Sequence, residues 1–172
     1  MSIIKHAIIS AAGMGTRLGL NLPKCLLQFS GVSIIKHQLE LLKNIEDVRV
    51  VVGFMEEDVI KAVKSIRNDV VFVRNPNYQE TSNTYSVSLA TKGVTKPHIL
   101  LDGDLLINKN SFNEFINEFD GKSSLVGITK ATTDDAVYVE LNDKAEVIKF
   151  SRKIKSPHEW SGIACLEIDT SF

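Results

Sequence analysis

Apolar positions along the chain fall into two alternating rhythms. Short continuous runs at residues 6–10 ("HAIIS"), 48–53 ("VRVVVG"), 70–74 ("VVFVR") and 98–104 ("HILLDGD") read as strands buried on both faces. Between them lie stretches with helical spacing. Residues 33–44 place Ile35, Leu39 and Leu42 on one face, with Ser33 as N-cap. Residues 56–67 do the same with Val59, Ala62, Val63 and Ile66. A short helix is expected at 84–91, after a polar loop from 75 to 83. Residues 111–119 put Phe112, Phe115, Ile116 and Phe119 on one side, and Ser111 with Glu114 fits a capping box. This alternation predicts an α/β fold, with a mixed but mainly parallel central sheet flanked by helices.

The rhythm changes after Gly121. "SSLVGITK", "AVYVEL" and "AEVIKFS" are strand-like with no long helix between them, and "LNDKAE" is a hairpin-like turn. Antiparallel strands added in the C-terminal third are the expected result. A last run, "SGIACLEIDTSF", reads as one more strand with no closing helix after it. An apolar strand left at an edge invites pairing. The expectation is a single domain over residues 1–172, truncated at its C-terminus. The alternative is an edge covered by a partner, such as a second copy in a homo-oligomer.

Bulk properties narrow the classes. The 172 residues suit one domain with a real core. A formal net charge of −1 gives none of the basic excess that nucleic-acid binding needs. No apolar stretch approaches the roughly 18 residues of a membrane span. Cys25 and Cys165 match no metal or redox spacing and read as buried thiols in a cytoplasmic protein.

The chemistry starts at "SAAGMGTRLGLNLPKCLL", directly after the first strand. A glycine-rich turn at the carboxyl end of a buried strand aims backbone N–H groups at an anion. It is not a P-loop, because no lysine follows the glycines at the required spacing. It is not the dinucleotide fingerprint either, because Leu18 stands where the third glycine belongs. Gly13, Gly15, Arg17 and Lys24 remain: a loop that carries two cations of its own. Arginine supplies a planar fork and lysine a mobile point charge, a pair suited to a triphosphate.

"AAGMGTRL" followed by "PKCLL" resembles the signature of the nucleotidyltransferases that make activated sugars and alcohols. Its short gap between Arg17 and Pro23 is similar to the cytidylyltransferase branches, closest in pattern to phosphocholine cytidylyltransferases. The resemblance implies that Ala11, Ala12, Gly13, Gly15 and Thr16 wrap a nucleoside triphosphate. It implies that Arg17 grips the leaving phosphates and that Lys24 neutralises the α-phosphate. "LLDGDLL" is similar to the family's metal turn, which makes Asp104 the Mg²⁺ ligand. Asp102, on strand alternation, is expected to point away from it. The segment 75–90 ("NPNYQETSNTYSVSLA") resembles the cytidylyltransferase nucleotide segment and implies contacts from Asn83 and Ser86; plain helix capping is the other reading for each, and core packing is open to Tyr85.

"EWSGIACL" resembles the strand lining the acceptor pocket, with Trp160 and Gly162 as acceptor residues. Trp160 either faces a quaternary ammonium by a cation–π contact or packs a loop. The family's second metal ligand lies beyond the point where this chain stops, and Asp169 does not sit in a matching context. The implied activity couples CTP to a small phosphomonoester with release of pyrophosphate. It would serve activated precursors of cell-surface polysaccharide or lipid. A sugar-1-phosphate uridylyl- or guanylyltransferase and a non-catalytic nucleotide-binding fragment stay open. The four histidines form no cluster, in keeping with a nucleophile that is already anionic.

Overall fold

The computed structural model describes residues 3–15, 19, 21–134 and 136–168. Four strands, β1 (His6–Ser10), β4 (Asp47–Val52), β5 (Val70–Arg74) and β6 (His98–Asp102), are mutually parallel in the order β5-β4-β1-β6. β1, β4 and β6 are covered on both faces, while the edge strand β5 leaves Val71 exposed. Helices α1 (Ile34–Leu41), α2 (Glu56–Lys64) and α4 (Lys109–Glu118) bury Ile35, Leu39, Val59, Val63 and Phe112 with Ile9, Val50 and Leu101. The smaller opposite core joins Ile8 and Val51 to Ala90 of α3 (Asn83–Thr91). Successive strand residues therefore feed two cores, and no polar alternation remains.

β1 is central. The chain leaves it towards β4 and β5, then returns to β6 on its other side. The reversal makes the carboxyl end of β1 a topological switch point, where open α/β sheets leave a crevice.

The C-terminal third extends the sheet with antiparallel strands, as expected. β10 (His158–Leu166) pairs β6 through Ile163–Leu166. It also pairs β7 (Leu125–Lys130) and β8 (Tyr138–Leu141), and β8 pairs β9 (Val147–Ser151). The register of β10 breaks between Trp160 and Ala164, around Gly162 at φ +93°.

Several boundaries differ from the sequence reading. α4 starts two residues early. Its N-cap is Asn108, whose side chain accepts from the Asn110 N–H, so the Ser111–Glu114 box does not form. β10 begins at His158 rather than 161, because Glu159 and Trp160 also pair with neighbouring strands. A tiny hairpin, β2 (Gln28–Phe29) and β3 (Val32–Ser33), turns on Ser30 and Gly31, both at positive φ. Ser33 caps α1 as expected, accepting from the Lys36 N–H.

Candidate functional site

The glycine loop leaves β1 at the switch point, and both neighbouring strands stitch down its first residues. The Gly103 N–H donates to the Ser10 carbonyl at 2.8 Å, and the Ala11 N–H donates to Val51 at 3.0 Å. The Phe54 N–H donates to the Ala12 carbonyl at 3.0 Å. The wall of the crevice is thus fixed up to Ala12, and the chain then turns outward at Gly13. Gly15 adopts φ +61°, and a Cβ there would stand 2.7 Å from Cγ of Lys24. The missing side chain is the space through which Lys24 passes. Lys24 opens a 3-10 turn, Lys24–Leu26, anchored by buried Cys25. Burial pushes the Cys25 thiol up to about 12, so it stays protonated.

Opposite the lysine lies the turn after β6. Lys24 Nζ donates to Asp104 Oδ2 at 2.7 Å, across a cavity of about 410 Å³. A Cβ on Gly103 would meet the Ser10 carbonyl at 2.6 Å and Ala11 Cα at 2.9 Å, so only glycine lets this turn touch β1. Helix α1 holds the turn from behind. The buried Gln38 amide donates to the carbonyls of Asp102 and Leu105, each at 2.8 Å, and His37 Nε2 lies 2.7 Å from the Ile107 carbonyl.

Asp102 corrects the sequence reading. It lines the same cavity as Asp104 instead of pointing away. Alternation holds only within a strand, and β6 ends at Asp102, where Gly103 starts the turn. Its Oδ1 accepts from Asn83 Nδ2 at 2.8 Å and its Oδ2 from Trp160 Nε1 at 2.6 Å. Burial pushes the carboxyl above its ordinary value, reinforced by Asp104, while the two donors and Lys24 oppose the rise. The Ser10 hydroxyl completes the group by donating to Asn83 Oδ1.

The remaining expected residues divide. Ala11, Gly13, Gly15, Lys24, Asn83 and Asp104 line the cavity together. Ala12 is 2% exposed and lies behind the wall, with its carbonyl committed to Phe54. Ser86, expected at the nucleotide, is 4% exposed and accepts from Asn75 Nδ2 at 2.9 Å, which braces the segment before α3 instead. Tyr85 is not core but 42% exposed. The Trp160 indole N–H is spent on Asp102, and its ring meets Phe150 edge-on at 6.3 Å. Gly162 backs onto Asp102, where a Cβ would come 3.4 Å from the Asp102 Cβ. Thr16, Arg17 and Asp169 lie outside the described residues.

Sequence reasoning missed Ser10, Gln38, Asp102 and Arg152, which also lines the cavity. Ser10 and Asp102 sit at strand ends flanking recognised motifs, a usable signal. Gln38 was visible as a lone amide on the apolar face of α1. Arg152 sits in a charged turn and carried no signal.

Two carboxylates beside a cavity with room for phosphates are a donor set that Mg²⁺ accepts, since it takes one or two carboxylates plus phosphate oxygens and waters. Among the described residues no cluster of three or more His, Cys, Asp or Glu side chains forms an all-protein metal cage. No described helix is long and apolar enough to cross a membrane.

Known proteins resemble this chain in sequence and fold. The model of the MobA-like NTP transferase domain matches residues 7–157. Choline-phosphate cytidylyltransferase of Streptococcus pneumoniae is 35% identical over 113 residues, covering 62% of this chain and 47% of that protein. Bifunctional protein GlmU of Sulfurovum sp. is 28% identical over 148 residues, covering 83% of this chain and 34% of that protein. The chain therefore spans about half or less of these curated relatives. Among solved structures, inositol-1-phosphate CTP transferase from T. maritima shares the fold with a TM-score of 0.79. Its identity is 21%, over 97% of this chain and 72% of that one. CTP:phosphocholine cytidylyltransferase from Streptococcus pneumoniae gives a TM-score of 0.74 at 27% identity, over 96% and 72%.

Proposed function

This chain belongs to the MobA-like NTP transferase family, and from that premise we propose that it transfers a cytidylyl group from CTP to a small phosphomonoester, with pyrophosphate as the leaving group. The observation that carries the reading is the Lys24–Asp104 pair, 2.7 Å apart across the crevice at the switch point. It sets a cation and a metal-binding carboxylate against one phosphate-sized space. Choline-phosphate cytidylyltransferase among the relatives supports both CTP and an amino-alcohol phosphate as acceptor.

A phosphomonoester is already an anionic nucleophile, so the reaction calls for positioning and charge neutralisation rather than a side-chain base. Gly13 and Gly15 bring backbone close to the triphosphate, and Lys24 offsets negative charge gathering on the α-phosphate. Asp104, with Asp102 beside it, would hold Mg²⁺, and the ion would supply neutralisation of phosphate charge. Arg17 is assigned to the departing pyrophosphate. Trp160 and Gly162 belong to the acceptor side. Precursors for cell-surface polysaccharide or lipid are the proposed product class.

The test is pyrophosphate release from each of the four nucleoside triphosphates with Mg²⁺ and a panel of phosphomonoesters. Preference for CTP with an amino-alcohol phosphate is expected. Preference for UTP or GTP with a sugar 1-phosphate would sink the cytidylyl assignment. Lys24→Ala should lower kcat about 10²–10³-fold, the usual loss for one preorganised charge-stabilising donor, with the thermal transition kept. Unchanged turnover would remove Lys24 from the mechanism.

A further inference from the structure

We propose that Asp102 is a positioning residue that ties the nucleotide wall of the cavity to its acceptor wall, so that Trp160 sets how Asn83 is presented. The inference rests on the nucleotidyltransferase reading and deepens it.

Four side chains from four elements form one chain of hydrogen bonds. Ser10 ends β1, Asn83 begins α3, Asp102 ends β6, and Trp160 lies on β10. The Ser10 hydroxyl donates to Asn83 Oδ1, Asn83 Nδ2 donates to Asp102 Oδ1, and Trp160 Nε1 donates to Asp102 Oδ2. The direction of these bonds is dictated. An indole nitrogen only donates and a carboxylate only accepts, so Asn83 must turn its NH₂ towards Asp102 and its oxygen towards Ser10. One carboxylate thereby chooses the face that Asn83 shows to the cavity.

The bond to Trp160 also spans a gap that the sheet does not close. β10 pairs β6 only from Ile163 onward, and its register breaks between Trp160 and Ala164. At Trp160 the strand runs beside β7 instead, so the indole bond is what returns that segment to the end of β6. Gly162 lies against Asp102 at φ +93°, a backbone conformation that glycine adopts freely where the strand bends towards the end of β6. Phe150 backs the indole edge-on at 6.3 Å. A carboxylate in a crevice meant for polyanions is electrostatically unfavourable for the ligand. Linking two walls gives it a reason to be there that metal binding alone, already met by Asp104, does not.

The experiment measures CTP–Mg²⁺ affinity by calorimetry on the whole chain with no acceptor present. Trp160→Phe keeps an aromatic ring against Phe150 and removes only the donor. We expect it to weaken CTP binding about five- to tenfold although it sits on the acceptor side, and to leave the ligand-free thermal transition in place. Asp102→Ala should weaken binding at least as much, and adding Trp160→Phe to it should cost nothing more. Asp102→Asn should also weaken binding about five- to tenfold, because it reverses the face that Asn83 shows to the cavity. Its amide can accept from the indole and donate to a turned Asn83, while the Ser10 hydroxyl switches from donor to acceptor.

Unaltered CTP binding by Trp160→Phe overturns the inference, as do independent, multiplying penalties for Trp160→Phe and Asp102→Ala. Asp102→Asn binding CTP as tightly as the unaltered chain also overturns it, because the direction in which Asn83 is turned would then not matter. If the unaltered chain binds none of CTP, UTP, GTP or ATP, the nucleotidyltransferase reading itself fails and takes this inference with it.

Discussion

Gly15 shows how one absent side chain can serve catalysis. Its positive φ costs a residue with a Cβ about 1–2 kcal/mol, and that Cβ would collide with the root of Lys24. A lysine tip can swing away from a clash, but Cγ cannot move without redirecting the whole side chain. Gly15→Ala should therefore leave a folded protein whose turnover falls towards that of Lys24→Ala. Because the effect runs through Lys24, adding Gly15→Ala to Lys24→Ala should cost no further turnover, a non-additivity that a double-mutant cycle measures. At this scale the motif residues were legible, since Ala11, Gly13, Gly15, Lys24, Asn83 and Asp104 do converge on one cavity. Partners that complete a hydrogen-bond chain were not. Nothing local in "DGD" says that its first carboxylate will meet a tryptophan 58 residues later. Ser86 shows the converse: its place in a motif suggested a ligand contact, while its side chain is buried against Asn75.

Strands were legible where the apolar run is continuous. β1 and β5 fall at the ends read from sequence, because a continuous β-branched run has sharp edges when flanked by polar residues. Helix ends were read less well. α1 and α2 stop before their apolar periodicity does, at Leu41 and Lys64, and α4 takes Asn108 as its cap in preference to Ser111. Periodicity marks which residues face the core, but a helix stops where its backbone finds other partners. Helix α1 also has a task that its amphipathic pattern conceals. Both hydrogens of the Gln38 amide go to carbonyls of the turn that presents Asp104. Gln38→Met keeps much of the volume and removes both donors, stranding two carbonyls. The expected loss is about 2–3 kcal/mol, read as a fall of roughly 5–10 °C in Tm. The Mg²⁺ concentration needed for half-maximal turnover should rise as well, since Asp104 is then held less firmly. Unchanged Mg²⁺ dependence alongside a lowered Tm would confine Gln38 to stability.

Across the whole molecule, the parallel strands separate two clusters of titratable groups. Their carboxyl ends carry Lys24, Asp102 and Asp104 around the cavity. Their amino ends carry His6, Asp47 and His98, which stand side by side in register on β1, β4 and β6. The topology that places the crevice was readable from strand–helix alternation. The clustering at the far end was not, because it depends on register between strands far apart in the chain. That far cluster sets the acid response. Burial holds the His98 imidazole below its ordinary value, with the neighbouring His6 and Arg49 adding to the effect. Its folded pKa is depressed, so its contribution to stability is complete above about pH 6.5 and is lost as the pH falls below that. Burial pushes the Asp47 carboxyl up, but bonds from Arg49 and His6 outweigh it and hold it below the usual range. Its contribution is present above about pH 3.9 and is lost as the pH falls through the folded value. Urea unfolding should therefore weaken in two stages on acidification, the first beginning near pH 6.5 and the second below about pH 4. His98→Leu has no proton to gain and should flatten the first stage while keeping the second; Asp47→Asn should do the reverse. Because both residues sit at the end of the sheet away from the cavity, neither change should shift the KM for nucleotide at pH 8, and a shift in that KM would show that the two ends of the sheet are coupled.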